Sequence, residues 1–152
     1  FGALSIVIIG PFFVVFSVLL VQSFGAGTIF SLLTFFMELP TPQIWPKLYN
    51  LISMPLNGMV VDFIWIKFKN EKRLFSFLSG FIYNLIITLQ TIILYFTIGL
   101  PGTEKIPEFM VSTIGMIIIS FIFSLFGGFS GLLSNFIYNK IKETRIVKRI
   151  RK

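Results

Sequence analysis

No charged residue interrupts the chain from Leu74 to Leu100. About 20 apolar residues cross the hydrocarbon core of a bilayer as a helix, so such a run reads as a membrane span. Within it, Asn84, Thr88, Thr91 and Tyr95 recur at spacings of four, three and four. On a helix that spacing places them along one face. Lipid cannot satisfy an amide, so this face must turn toward other helices or a wet cavity. The stripe is either glue between helices or the wall of a site.

The rest of the chain has the same character. Of 152 residues, 55% are hydrophobic and 12% charged, and the mean hydropathy is +0.91. A soluble domain carries roughly a quarter charged residues. The expectation is an all-α integral membrane protein, multi-pass in a cell membrane, with residues 1–152 forming one transmembrane domain. Cys and His are both absent. That removes thiol nucleophiles, iron–sulfur ligation and the common zinc sites, and with them the usual general base near neutral pH. The carboxylates are Glu38, Asp62, Glu71, Glu104, Glu108 and Glu143, and no two lie four apart inside a span. A P-loop and a G-x-S-x-G elbow are missing too. No enzyme, cofactor or metal is expected.

Five apolar segments are drawn at residues 2–24, 25–39, 47–68, 74–100 and 110–140. Pro11 is expected to kink the first, which lacks the basic start of a signal peptide. The second is too short to cross upright, so it is short or re-entrant. Pro40, Pro42 and Pro46 forbid regular helix between the second and third. One helix before residue 1 would raise the bundle from five spans to six, with both ends in the cytoplasm.

Charge orients the bundle. Lys67, Lys69, Lys72 and Arg73 cluster between the third and fourth segments, and residues 141–152 form a basic tail. By the positive-inside rule both are cytoplasmic, and two intervening spans make the assignments agree. The tail accounts for much of the net charge of +7. It is expected to face anionic lipid rather than nucleic acid. The loops at 40–46 and 101–109 then lie outside.

Several groups of residues are candidates for a site. On the fourth segment they are Asn84, Thr88, Gln90, Thr91 and Tyr95, whose carboxamides and hydroxyls suit a small polar ring or amide. On the third, Asn50 and Asn57 share a face with Ser53, and Pro55 is expected to break the helix and expose backbone groups. Trp45 and Tyr49 sit at the depth of an aromatic belt and could stack on a flat ring. Glu38 could pair with Lys47 or meet a cationic ligand. Asp62 lies within a turn or so of Lys67, and either pairs with it or acts within the membrane. Gly127, Gly128 and Gly131 read as a close helix-packing surface.

The order of these features resembles the substrate-binding S components of energy-coupling factor vitamin transporters. The residues that carry the likeness are Gly25-Ala26-Gly27, the loop from Glu38 through Pro40 to Pro42, Gly58-x-x-x-Asp62 before the basic turn, Gly80 to Asn84, and Gly127-Gly128-x-x-Gly131 running into Tyr138-Asn139-Lys140. The resemblance implies capture of a vitamin-like solute at the outer face. It also implies docking on a membrane coupling subunit that sits on ATPase subunits, and release inward as the protein topples in the bilayer. The family's docking spacing of alanines does not occur near Phe1. Metal-binding relatives use an N-terminal histidine, which this chain lacks, so an organic ligand is expected. The alternative is a non-catalytic accessory or scaffold subunit of a larger membrane complex.

Overall fold

The computed structural model describes residues 2–38, 40, 47–98, 112–144 and 147, with side chains except at 2–7, 38, 47–49, 98 and 113. Among them the fold is all-helical: α1 (Gly2–Val21), α2 (Ala26–Glu38), α3 (Lys47–Phe68), α4 (Lys72–Ile98) and α5 (Thr113–Ile141). Parts of α3, α4 and α5 are long and apolar enough to cross a membrane.

The helix ends follow backbone hydrogen bonding rather than the limits of the apolar runs. α1 stops at Val21 because Gln22 takes a left-handed conformation, φ 56°, and its N–H returns to the Val18 carbonyl at 2.8 Å. A left-handed residue after the last helical one is a common way to end a helix. Gly25, at φ 91°, completes the turn into α2, at a position where a side chain would be strained. α4 begins inside the basic turn, with the Phe75 N–H bonded to the Glu71 carbonyl at 2.8 Å. α5 starts after Ser112, whose hydroxyl accepts from the Gly115 N–H at 3.1 Å as an N-cap. α1 and α3 run unbroken through Pro11 and Pro55. The expected break at Pro55 does not form, although its missing N–H leaves the Leu51 carbonyl without its helical donor.

Successive helices alternate in direction. Gly27 faces Gly58, Gly80 faces Gly127 and Ser76 faces Gly131, whereas Ser130 and Ser134 of α5 bond Ile8 and Phe12 of α1 in parallel. The alternation brings Val21, Ala26, Phe68, Lys72 and Ile141 to one end. Lys67, Lys69, Lys72, Arg73, Lys140 and Lys142 gather there, as the charge pattern predicts. α2 has 13 residues, a length of roughly 20 Å, which falls short of a bilayer's hydrocarbon core. It is a short helix laid antiparallel on α3.

The core centres on α1, which packs against all four other helices. Val14, Val15, Val18 and Leu19 are buried against Val61, Trp65, Phe75, Tyr83 and Tyr138. Trp65 and Phe75 meet edge to face at 4.9 Å, joining α3 to α4, a geometry favoured by the ring quadrupoles. Polar side chains are inside as well: Asp62, Asn57, Asn84 and a series of serines are buried, while Ile52, Phe96, Ile117 and Phe129 are exposed. The distribution is the reverse of a soluble domain's.

Two seams bring backbones together without side chains between them. A Cβ on Gly80 would overlap the Gly127 carbonyl, and one on Gly131 the Ser76 carbonyl. Between α2 and α3, a Cβ on Gly58 would sit 2.5 Å from the Gly27 carbonyl oxygen. Gly127→Val therefore forces α4 and α5 apart. It should destabilise the protein by about 1–3 kcal/mol, the usual range for overpacking, while Leu133→Ala on the exposed face of α5 changes little. Thermal unfolding in detergent checks the difference.

Candidate functional site

The structure divides the predicted stripe of α4 among three uses. Asn84 donates from Nδ2 to the Phe123 carbonyl of α5 at 2.8 Å, so it joins two helices. Thr88 and Thr91 donate their hydroxyls to carbonyls of α4 itself, those of Asn84 and Ile87. Helical threonines commonly do this. Tyr95 is half-buried and packs edge to face on Phe96 at 5.3 Å. These residues share a face of α4, each with its own hydrogen-bond or ring partner.

Gln90 points elsewhere, toward α3. It exchanges hydrogen bonds with Asn57: the Asn57 amide donates to Gln90 Oε1 at 3.4 Å, and the Gln90 amide donates to Asn57 Oδ1 at 3.5 Å. Both contacts are at the long edge of hydrogen-bond distance, against a usual 2.9–3.0 Å. Asn57 is only 2% exposed, and Asn50 and Ser53 are buried on the same face of α3. Their spacing of three and four residues turns all three toward the bundle. The structure therefore builds a polar strip on α3, closed by Gln90, in the half of the bundle away from the basic end. Glu38 ends α2 and Tyr49 lies in the first turn of α3. Their side chains, and all of Trp45, fall outside the described residues, as does the Glu38–Lys47 pairing.

Asp62 has a different partner from the one its neighbourhood in sequence suggested. Its carboxylate is fully buried and meets the start of α2. Gly27 and Thr28 donate their backbone N–H groups to its two oxygens at 2.8 and 2.9 Å, and the Thr28 hydroxyl donates at 2.6 Å. Lys67 is exposed, with its ammonium 5.6 Å from the Phe68 ring centre, so the Asp62–Lys67 pair, one of the readings open to Asp62, does not form. A carboxylate at a helix N-terminus satisfies orphan N–H groups and favours the positive end of the helix dipole. Asp62 thus serves as an N-cap supplied by a neighbouring helix. The glycine pair beside it, Gly27 with Gly58, lets the two backbones come close enough for that reach.

The basic end carries a further cluster that the sequence did not mark. Tyr138 is buried, and its hydroxyl accepts from Gln22 Nε2 at 2.7 Å and from Lys72 Nζ at 3.3 Å. The Lys72 ammonium lies 5.0 Å from the centre of the same ring. The cluster ties α1, α4 and α5 together at one point. Cation–π contact of this kind strengthens as the ammonium loses water. Among the described residues, no group of His, Cys, Asp or Glu is placed to hold a metal ion.

Comparison with protein-family models, with curated proteins and with solved structures found no match.

The capping role of Asp62 has a direct consequence. Asp62→Ala leaves two N–H groups of α2 buried and unpaired, and should cost about 1–3 kcal/mol. Asp62→Asn, which keeps one acceptor oxygen, should cost less. Unfolding curves of the two variants in the same detergent decide the order; equal stability of Asp62→Ala and the parent would remove the cap assignment.

Proposed function

We propose that this protein is a membrane-embedded capture subunit of a multi-subunit importer, binding a small organic, vitamin-like solute from the face opposite its basic end. Its surface supports the setting: apolar side chains face outward along every helix, and buried Asp62, Asn84 and Ser134 find partners within the bundle. The concentration of basic residues at one end, Lys67, Lys69, Lys72, Arg73, Lys140 and Lys142, matches a multi-pass protein in a cell membrane with that end in the cytoplasm. There they would meet anionic lipid and the importer's own subunits. The chain would do no catalysis; the energy would come from ATPases beneath a membrane coupling subunit, as in the vitamin transporters it resembles. The motifs that carry this likeness meet in pairs, Gly25-Ala26-Gly27 with Gly58-x-x-x-Asp62 and Gly80–Asn84 with Gly127–Gly131.

One observation carries the reading: the slack carboxamide pair of Asn57 and Gln90 beside buried Asn50 and Ser53. Where this bundle uses an amide as glue, at Asn84, the bond is 2.8 Å. Two buried-side amides held at 3.4 and 3.5 Å have hydrogen-bonding capacity that a solute can claim at little cost. The short Asn84 bond favours glue for that part of α4 and is what an accessory or scaffold subunit would use throughout.

Native mass spectrometry of the protein purified in mild detergent separates the two. A vitamin-like compound at one per chain is the expected result. Lipids alone, with a stoichiometric protein partner and no ATPase, would favour the scaffold. Asn57→Ala should weaken binding of the recovered compound by about 1–3 kcal/mol, measured on folded protein by isothermal titration.

A further inference from the structure

The chemistry of the Asn57–Gln90 pair narrows the solute, granted the capture reading above. Two carboxamides that each donate and accept present the same edge to one another: an N–H beside a C=O. Such an edge is recognised by its like, which is how carboxamides read the edges of nucleobases bidentately. No residue of α3 from Asn50 to Val61, or of α4 from Leu74 to Thr97, is charged. A charged group bound between these stretches would be buried without a counter-charge, at high cost.

The two partners differ in freedom. Asn57 is 2% exposed, on a short side chain inside α3, whereas Gln90 is half-buried on a longer one. Several neighbouring polar side chains are engaged. Asp62 receives three donors from α2, Asn84 holds the Phe123 carbonyl, and Thr88 and Thr91 bond to α4 itself.

We infer that the solute binds through a neutral cis-amide edge, as in a lactam or pyrimidinone ring, which displaces Gln90 from Asn57 and takes both hydrogen bonds. Asn57 is the fixed reader of that edge and Gln90 the arm that gives way. A solute without the N–H leaves one hydrogen-bonding group of Asn57 buried and unmatched.

Uracil carries the edge, and 1,3-dimethyluracil keeps the ring while losing both N–H groups. In equilibrium dialysis against the detergent-solubilised protein, uracil should bind roughly tenfold or more tightly than its dimethyl form. Asn57→Leu should abolish that preference. Gln90→Met removes the competing carboxamide and should tighten uracil binding while keeping the preference. Equal binding of the two compounds, no binding of uracil, or weaker uracil binding by Gln90→Met would overturn the inference. Recovery by native mass spectrometry of a bound solute that lacks a cis-amide edge would also overturn it, yet leave the capture reading standing. Recovery of lipids and a non-ATPase partner alone would remove the capture reading itself.

Discussion

Asp62 supplies from α3 what α2 cannot supply for itself. A helix of 13 residues that follows a tight turn begins with N–H groups that need acceptors. The turn residues before it, Gln22 and Gly25, are committed to left-handed backbone. The carboxylate that answers the need is fully buried and reaches α2 across the Gly27–Gly58 contact. With α2 pinned there, Ala26 closes over the Val18–Leu19 end of the core, and Phe30 stacks at 6.3 Å on Phe13 of α1. The buried charge is tolerable because three donors surround it.

The remaining cohesion is built from small residues and hydroxyls. In water an apolar core draws helices together, but between apolar helices in lipid that drive is weak. Close backbone approach and interhelical hydrogen bonds are what remains to such helices, and the α4–α5 seam of Gly80, Gly127 and Gly131 with Asn84 beside it has both. The hydrophobic cluster around α1 lies toward the basic end, where Tyr138, Gln22 and Lys72 complete it. The opposite half relies more on polar side chains, and the loosely paired carboxamides lie there.

Much of this was legible in the chain, in proportion to how local each cause was. The third helix occupies residues 47–68 as read, because prolines stop it before Lys47 and a charged turn follows Phe68. The first ends three residues early, since a left-handed Gln22 leaves no trace in hydropathy. The face shared by Asn84, Thr88, Thr91 and Tyr95 was visible as a spacing. That Thr88 and Thr91 would spend their hydroxyls on their own helix was not, because several outcomes share that spacing. Nearness along the chain offers Lys67 as one possible partner of Asp62, whereas the donors it meets lie 34 and 35 residues back. Gln90 was recognised as a candidate without its partner, and nothing local points from it to Asn57.

Away from the Gln22–Tyr138 contact, the polar bonds between α1 and α5 are specified from one side. Ser130 and Ser134 donate to the carbonyls of Ile8 and Phe12, next to Pro11, whose ring deprives a nearby carbonyl of its own donor. The acceptors are main-chain oxygens, present whatever side chain stands at those two positions. At Ile8 and Phe12 the polar identity of the seam therefore resides in α5. The first helix is free to drift in sequence along that edge so long as it keeps its helical path and bulk, while each serine opposite is committed to its oxygen.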